Sequence, residues 1–224
     1  MIAAISVPAL SQKTLATPIP LATPEGMTLL SSSTARADYG SLAQEFLTQA
    51  TLTYCGVASS VMVLNSLNVP APEVPGYGPY RFWTQDNVWS GTDPGTVVSA
   101  GQVQRQGMTL SELATLLRSH GLVVEAIHGQ ELTLTTFRKQ LEQNLSNPSD
   151  RLLVNYDRKS LGQNGGGHIS PVAAYHATSD QVLILDVSRY RYPTVWVPVR
   201  DLWQAIRTMD TGSGKSRGMV LIRR

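Results

Sequence analysis

The chain has 224 residues, 42% of them hydrophobic and 15% charged, enough to close one substantial core in one domain or two closely packed lobes. A net charge of +2 with no dense Lys/Arg stripe speaks against a nucleic-acid surface. A single cysteine, Cys55, excludes an internal disulfide framework and a thiolate metal cage, so no metal site of the protein's own is expected.

Residues 1–35 carry four prolines, many Ser, Thr and Ala, and only Lys13 and Glu25 as charges. This composition predicts a weakly structured lead-in over residues 1–36, ahead of a catalytic domain over 37–224. Its first ten residues are apolar but too short to span a bilayer and lack a basic start. At most they are the remnant of a signal peptide ending near Ala9-Leu10-Ser11, which leaves bacterial cytoplasm and periplasm both open. A helix is predicted from Ser41 to Gln49, then a short turn and a second helix beginning at Cys55. In this second helix Val57, Ala58, Val61, Met62, Val63, Leu64 and Leu67 fall on nearly every side, so it reads as buried and central. The Pro/Gly-rich stretch from Asn68 to Arg81 reads as loop, and Thr84–Trp89 and Pro94–Gln104 as short helices. Thr109-Leu110-Ser111-Glu112 is a capping box opening a helix that ends near Ser119. Leu122–Ile127 reads as a strand and Thr133–Leu145 as an amphipathic helix. After Asp150 come short β-branched runs at Arg151–Tyr156, His168–Tyr175, Gln181–Val187, Thr194–Pro198 and Arg217–Ile222, with one helix near Arg200–Met209. A helical half followed by an antiparallel half predicts an α+β fold with a cleft between the two.

The chemistry gathers around Cys55. A lone cysteine is most often inert filler, but a helix N-terminus presents unpaired N–H groups and positive dipole to it, which favours thiolate. His168 opens a strand directly after Gly165-Gly166-Gly167, where glycine lets the backbone take positive φ and lie close to a substrate. Asp186 ends the next apolar strand, and two adjacent antiparallel strands bring that start and that end together. Asp186 would then fix the imidazole tautomer, and its replacement by Asn is expected to be the mildest change in the set. His120 falls at a helix C-terminus, where a cation is favoured without any chemistry, and His128 and His176 fall at strand ends, so the three are set aside.

Gln49 lies six residues before Cys55. The order Gln, Cys, His, Asp, with helices first and sheet second, resembles the papain-type cysteine peptidases. In those enzymes a glutamine at this spacing gives a side-chain N–H to the oxyanion hole, and the expected fold is the papain-like one. The stretches QATLTYCGVASSVMVLNSL from Gln49, PYRFWTQDN from Pro79, GGHISPVAAY from Gly166 and DVSRYRYPTVW from Asp186 are more specific. Over residues 37–224 they resemble the catalytic domain of phytochelatin synthases, particularly the short bacterial forms. The resemblance implies Cys55, His168 and Asp186 as catalytic triad and Gln49 as oxyanion glutamine. In MDTGSGKSRGMV it implies Asp210 and Arg217 as the pair that grips the γ-glutamyl end of glutathione, with Gly167 beside them. From the residues alone, a surface pair flanking a loop stays open as the alternative for Asp210 and Arg217. Arg189 is a further cation for a second substrate or the glycine carboxylate.

The implied activity is that of a glutathione γ-glutamylcysteinyltransferase and hydrolase, with no tightly bound cofactor. Heavy-metal ions (Cd, Zn) would enter as glutathione-thiolate complexes. Eukaryotic members add a cysteine-rich C-terminal domain not found in these residues, and on that ground hydrolysis is expected over metal-activated synthesis. Glutathione and its metal thiolates are the expected partners, a homodimer stays open, and neither nucleic acid nor membrane is expected. Two other readings stand beside this one: an idle thiol-peptide or metal-thiolate binding module, and a general cysteine peptidase.

Overall fold

The computed structural model describes residues 17–224. The possible signal remnant therefore lies outside the described residues. Strand β1 (Ile19–Pro20) leads into helices α1 (Pro24–Ser32), α2 (Tyr39–Gln44), α3 (Cys55–Ser66), α4 (Ala100–Gln106) and α5 (Leu110–Ser119). Then come β2 (Val123–His128), α6 (Leu134–Leu145), β3 (Asp150–Asp157), β4 (Gly167–His176), β5 (Gln181–Ile184) and β6 (Val195–Pro198). The chain closes through α7 (Val199–Ile206), the hairpin β7 (Met209–Asp210) and β8 (Lys215–Ser216), and β9 (Gly218–Arg223). The fold is α+β, built on one seven-stranded antiparallel sheet in the order β1-β6-β5-β4-β3-β9-β2.

The sheet lies between two apolar layers. Successive residues of β3 point alternately to each: Leu152 and Val154 pack with Phe137, Leu141 and Leu202, while Leu153 packs with Val61, Leu113 and Leu117. Both faces being covered explains the unbroken apolar stretches 152–154 of β3 and 219–222 of β9. Helix α3 packs across β4, with the Ser59 hydroxyl donating to the Ile169 carbonyl at 3.2 Å. Among its residues only Asn65 is not buried, as its all-round apolar pattern predicts.

Three expectations are corrected. From residue 19 the lead-in is integral: β1 pairs with β6, and α1 is capped by the Thr23 hydroxyl with Pro24 at its start. The Trp196 indole donates to Gly26 O at 3.0 Å, and a Cβ on Gly26 would sit 2.3 Å from Pro20 O. Thr23 and Pro24, part of the composition that suggested weak structure, start a helix. The helical and sheet halves are also not separate, because β1 and β2 come from the first half and α6 and α7 cover the far face. Finally, α2 stops at Gln44, and Thr84–Trp89 is a run of turns in which the Thr84 and Asn87 side chains bond each other's backbone N–H groups. Pro94–Gln104 becomes helix only from Ala100, behind the Ser99 cap. Among the described residues no helix is long and apolar enough to cross a membrane.

Candidate active site

Cys55 is the first residue of α3, so its sulfur stands at the positive end of a buried helix. His168 is the second residue of β4, opposite Tyr156 of β3. The pairing of β4 with β5 continues beyond Ile184 through Leu185 N to Pro171 O at 2.9 Å, which carries Asp186 back beside His168. His168 Nε2 lies 2.9 Å from Asp186 Oδ1, and both side chains are buried. The other ring nitrogen is left to face Cys55, whose ionised form the imidazole supports.

The electrostatics favour a charged pair. Burial pushes the Cys55 thiol up, but the bond and charge of His168, with the Ile169 and Gly56 backbone, outweigh it and hold the thiol below its ordinary value. Burial pulls His168 down, yet Asp186 and Cys55 raise it overall. Burial alone would raise Asp186, whereas His168 and Arg158 bring it well below the carboxylate range. Thiolate, imidazolium and carboxylate are thus mutually supported.

Sequence reasoning missed Arg158, which follows β3 in a single 3-10 turn. Its guanidinium forks onto Asp186 at 2.7 and 2.9 Å and donates to Gln163 Oε1 at 2.6 Å. No local pattern distinguishes it from a solvated arginine in a turn.

Cys55 and His168 open onto a cavity of about 550 Å³ whose walls include Glu112, Gly167, Asp210 and Arg217. Arg217 donates to Asn155 Oδ1 at 2.9 Å, and its Nε is buried without a partner among the described residues. A Cβ on Gly167 would lie 2.1 Å from Arg217 Nη1, so this glycine makes room for a side chain of the protein itself. Gly165, at φ 123°, likewise passes close to Arg158. The Asp210 carboxylate accepts from Gly212 N at 3.2 Å within the β7–β8 turn. An oriented thiolate, a proton donor and a cavity walled by Arg217 and by the carboxylates of Asp210 and Glu112 can bind a zwitterionic acyl donor and displace its leaving amine.

The phytochelatin synthase family model matches residues 10–219, nearly the whole chain and beginning inside the expected lead-in. The chain belongs to the phytochelatin synthase family. It is 36% identical over 207 residues to glutathione gamma-glutamylcysteinyltransferase 3 of Lotus japonicus, covering 91% of this chain and 42% of that protein. It is 36% identical over 179 residues to glutathione gamma-glutamylcysteinyltransferase 2 of Arabidopsis thaliana, covering 80% and 38%. With the glutathione gamma-glutamylcysteinyltransferase of Schizosaccharomyces pombe the figures are 31% over 188 residues, 83% and 43%. The chain thus spans less than half the length of each of these relatives.

Of the candidate site residues, Gln49, Asp186 and Arg189 do not line the cavity. Gln49 is buried; its amide donates to Thr51 O at 2.6 Å and accepts from the Ser188 hydroxyl at 2.7 Å, tying it to the segment after Asp186. Arg189 stacks on the Phe46 ring at 4.8 Å. The set-aside histidines are engaged elsewhere: His120 with Val88 O, His128 with Ser216 O and His176 with the Ser179 hydroxyl. Among the described residues no three His, Cys, Asp or Glu side chains are grouped to hold a metal.

Proposed function

We propose that this chain is a papain-like cysteine γ-glutamylcysteinyltransferase and hydrolase that removes glycine from glutathione. The observation that carries the reading is the supported Cys55–His168 pair opening onto the cavity that holds Arg217 and Asp210. In this reading Arg217 forks onto the α-carboxylate of the γ-glutamyl residue and Asp210 pairs with its ammonium. Cys55 thiolate attacks the cysteinyl carbonyl, and the oxyanion takes the Cys55 backbone N–H and the amide hydrogen of Gln49 not spent on Thr51. As the C–N bond breaks, the His168 imidazolium gives its proton to the departing glycine amine. Neutral His168 then takes a proton from water, whose oxygen displaces thiolate from the thioester and releases γ-glutamylcysteine. When the amine of a second glutathione attacks instead, the product is one γ-glutamylcysteine unit longer.

The names of the relatives support this donor, and the paired charges in the cavity support a γ-glutamyl rather than an ordinary peptide substrate. Cadmium or zinc would enter only as a bis-thiolate complex of glutathione, serving as acceptor. Incubation with glutathione should release glycine and add a γ-glutamylcysteinyl mass to Cys55. Cys55→Ser should do neither while keeping its fold, since a serine hydroxyl is scarcely ionised beside this histidine. Glycine release by the serine variant at near wild-type rate would sink the nucleophile assignment. Equal turnover of the α-linked isomer of glutathione would instead indicate a general peptidase.

A further inference from the structure

We infer that Arg158 is a positioning residue of this site, gripping Asp186 through both Nη atoms so that the two act as one buried unit behind His168. The inference rests on the reading of Cys55 and His168 as the reacting pair. Each carboxylate oxygen of Asp186 is oriented by more than the histidine. Oδ1 accepts from Arg158 Nη2 at 2.9 Å and from Ser188 N at 2.8 Å, while Oδ2 accepts from Arg158 Nη1 at 2.7 Å with the Tyr156 hydroxyl at 3.5 Å. A planar fork on a planar carboxylate fixes its plane, which a single donor would not. Because His168 Nε2 sits 2.9 Å from Oδ1 of that same carboxylate, the ring's seat depends on where its plane is held.

Arg158 is itself enclosed. Gln163 accepts from it, the Tyr192 ring covers it at 4.7 Å, and Gly165 passes so close that a Cβ there would sit 3.1 Å from Arg158 Cδ. The loop between β3 and β4 and the segment after Asp186 thus converge on one guanidinium. A side chain 4% exposed and committed to a carboxylate is not a free cation for ligands.

The charge of Arg158 reaches the nucleophile. Cys55 faces His168 with Asp186, Tyr156 and Arg158 behind it, and shares its cavity with Glu112, Asp210 and Arg217. Without Arg158 the thiolate loses a nearby cation. Asp186 then either stays charged, an anion no longer balanced, or takes a proton and stops supporting the imidazolium. Each consequence moves Cys55 ionisation to higher pH.

The test is the pH dependence of Cys55 alkylation by iodoacetamide, with near-UV circular dichroism to verify folding. Folded Arg158→Met should alkylate about tenfold more slowly than wild type on the acid limb, a shift of about one pKa unit. Arg158→Lys, which keeps the charge and loses the fork, should fall between. An unchanged profile in a folded Arg158→Met would overturn the proposal. If that variant does not fold, Arg158→Met combined with Asp186→Asn, which removes both charges, should restore the near-UV spectrum, and failure to restore it would equally overturn the buried unit. Alkylation needs no substrate, so absence of glycine release by wild type would sink the proposed activity and leave this inference standing.

Discussion

At the scale of the residue, Asp186 carries two duties, as partner of His168 and as counter-charge of Arg158. Its replacement by Asn, expected from the sequence to cost less activity than loss of Cys55 or His168, should still cost stability. An amide would leave the guanidinium buried without its anion, at about 3–5 kcal/mol, or a fall of roughly ten degrees in Tm for a domain of this size. A thermal melt coincident with wild type would show that the guanidinium needs no counter-charge. The pH dependence follows from the depressed folded-state pKa: the Asp186 contribution is complete above the unfolded value of about 3.9 and lost as pH falls through the lower folded value. The deficit of Asp186→Asn should thus be constant from neutral pH to about 5 and shrink only in strong acid. Gly167→Ala makes a different prediction, because its Cβ displaces Arg217. A fall in kcat/KM on the order of a hundredfold is expected, mainly through KM, for a misplacement of this size; unaltered kinetics would remove Arg217 from substrate binding. Cys55, His168 and Asp186 were legible in the sequence as candidates because their placement at element ends is itself informative. Arg158 was not, since only the folded sheet brings a turn arginine to that carboxylate.

At the scale of the element, what was legible is what is local. The capping box of α5 and the all-round apolar pattern of α3 depend on neighbours in sequence and appear where they were read. The helix α1 has equally local signals in Thr23 and Pro24, but its burial comes from Trp196, far along the chain, and composition alone pointed the other way. The join between α2 and β3 was hidden for the same reason. Buried Arg151 donates to the Ser41 hydroxyl and to Ser66, the last residue of α3, linking three elements. Beside it Asp38 precedes α2 with neither carboxylate oxygen hydrogen bonded among the described residues. Burial lifts its pKa well above the ordinary value despite the pull of Arg151. A raised carboxyl contributes stability that is complete below about pH 3.9 and is lost as pH rises through the folded-state value. Asp38→Asn has no such titration, so its Tm should gain on wild type as pH rises from 4 to 8. Parallel Tm profiles for the two proteins over that range would show that Asp38 ionises normally in the fold.

At the scale of the whole molecule, one sheet with both faces covered places its reactive groups at a single end. The start of β4, the turn of β7–β8 and the start of α3 meet around one cavity, while the far layer of α6 and α7 is packed with apolar side chains. This arrangement makes a prediction about metal. The chain's only cysteine is Cys55, the proposed nucleophile, and among the described residues no three His, Cys, Asp or Glu side chains are grouped to hold a metal. Soft ions presented without thiol should therefore seek Cys55, a low-pKa thiolate with an adjacent imidazole nitrogen, and inhibit. Presented with glutathione in excess, they are held as bis-thiolates and can reach the enzyme only as acceptor. Two measurements separate this account from a regulatory metal site. S-methylglutathione, whose sulfur cannot form a thiolate complex, should lose glycine without added metal wherever its capped thiol fits the cavity. Calorimetric titration of cadmium into enzyme with Cys55 alkylated and glutathione absent should show no stoichiometric binding at submicromolar concentration. A stoichiometric site under those conditions would place the metal on the protein and end the account in which activation travels with the substrate.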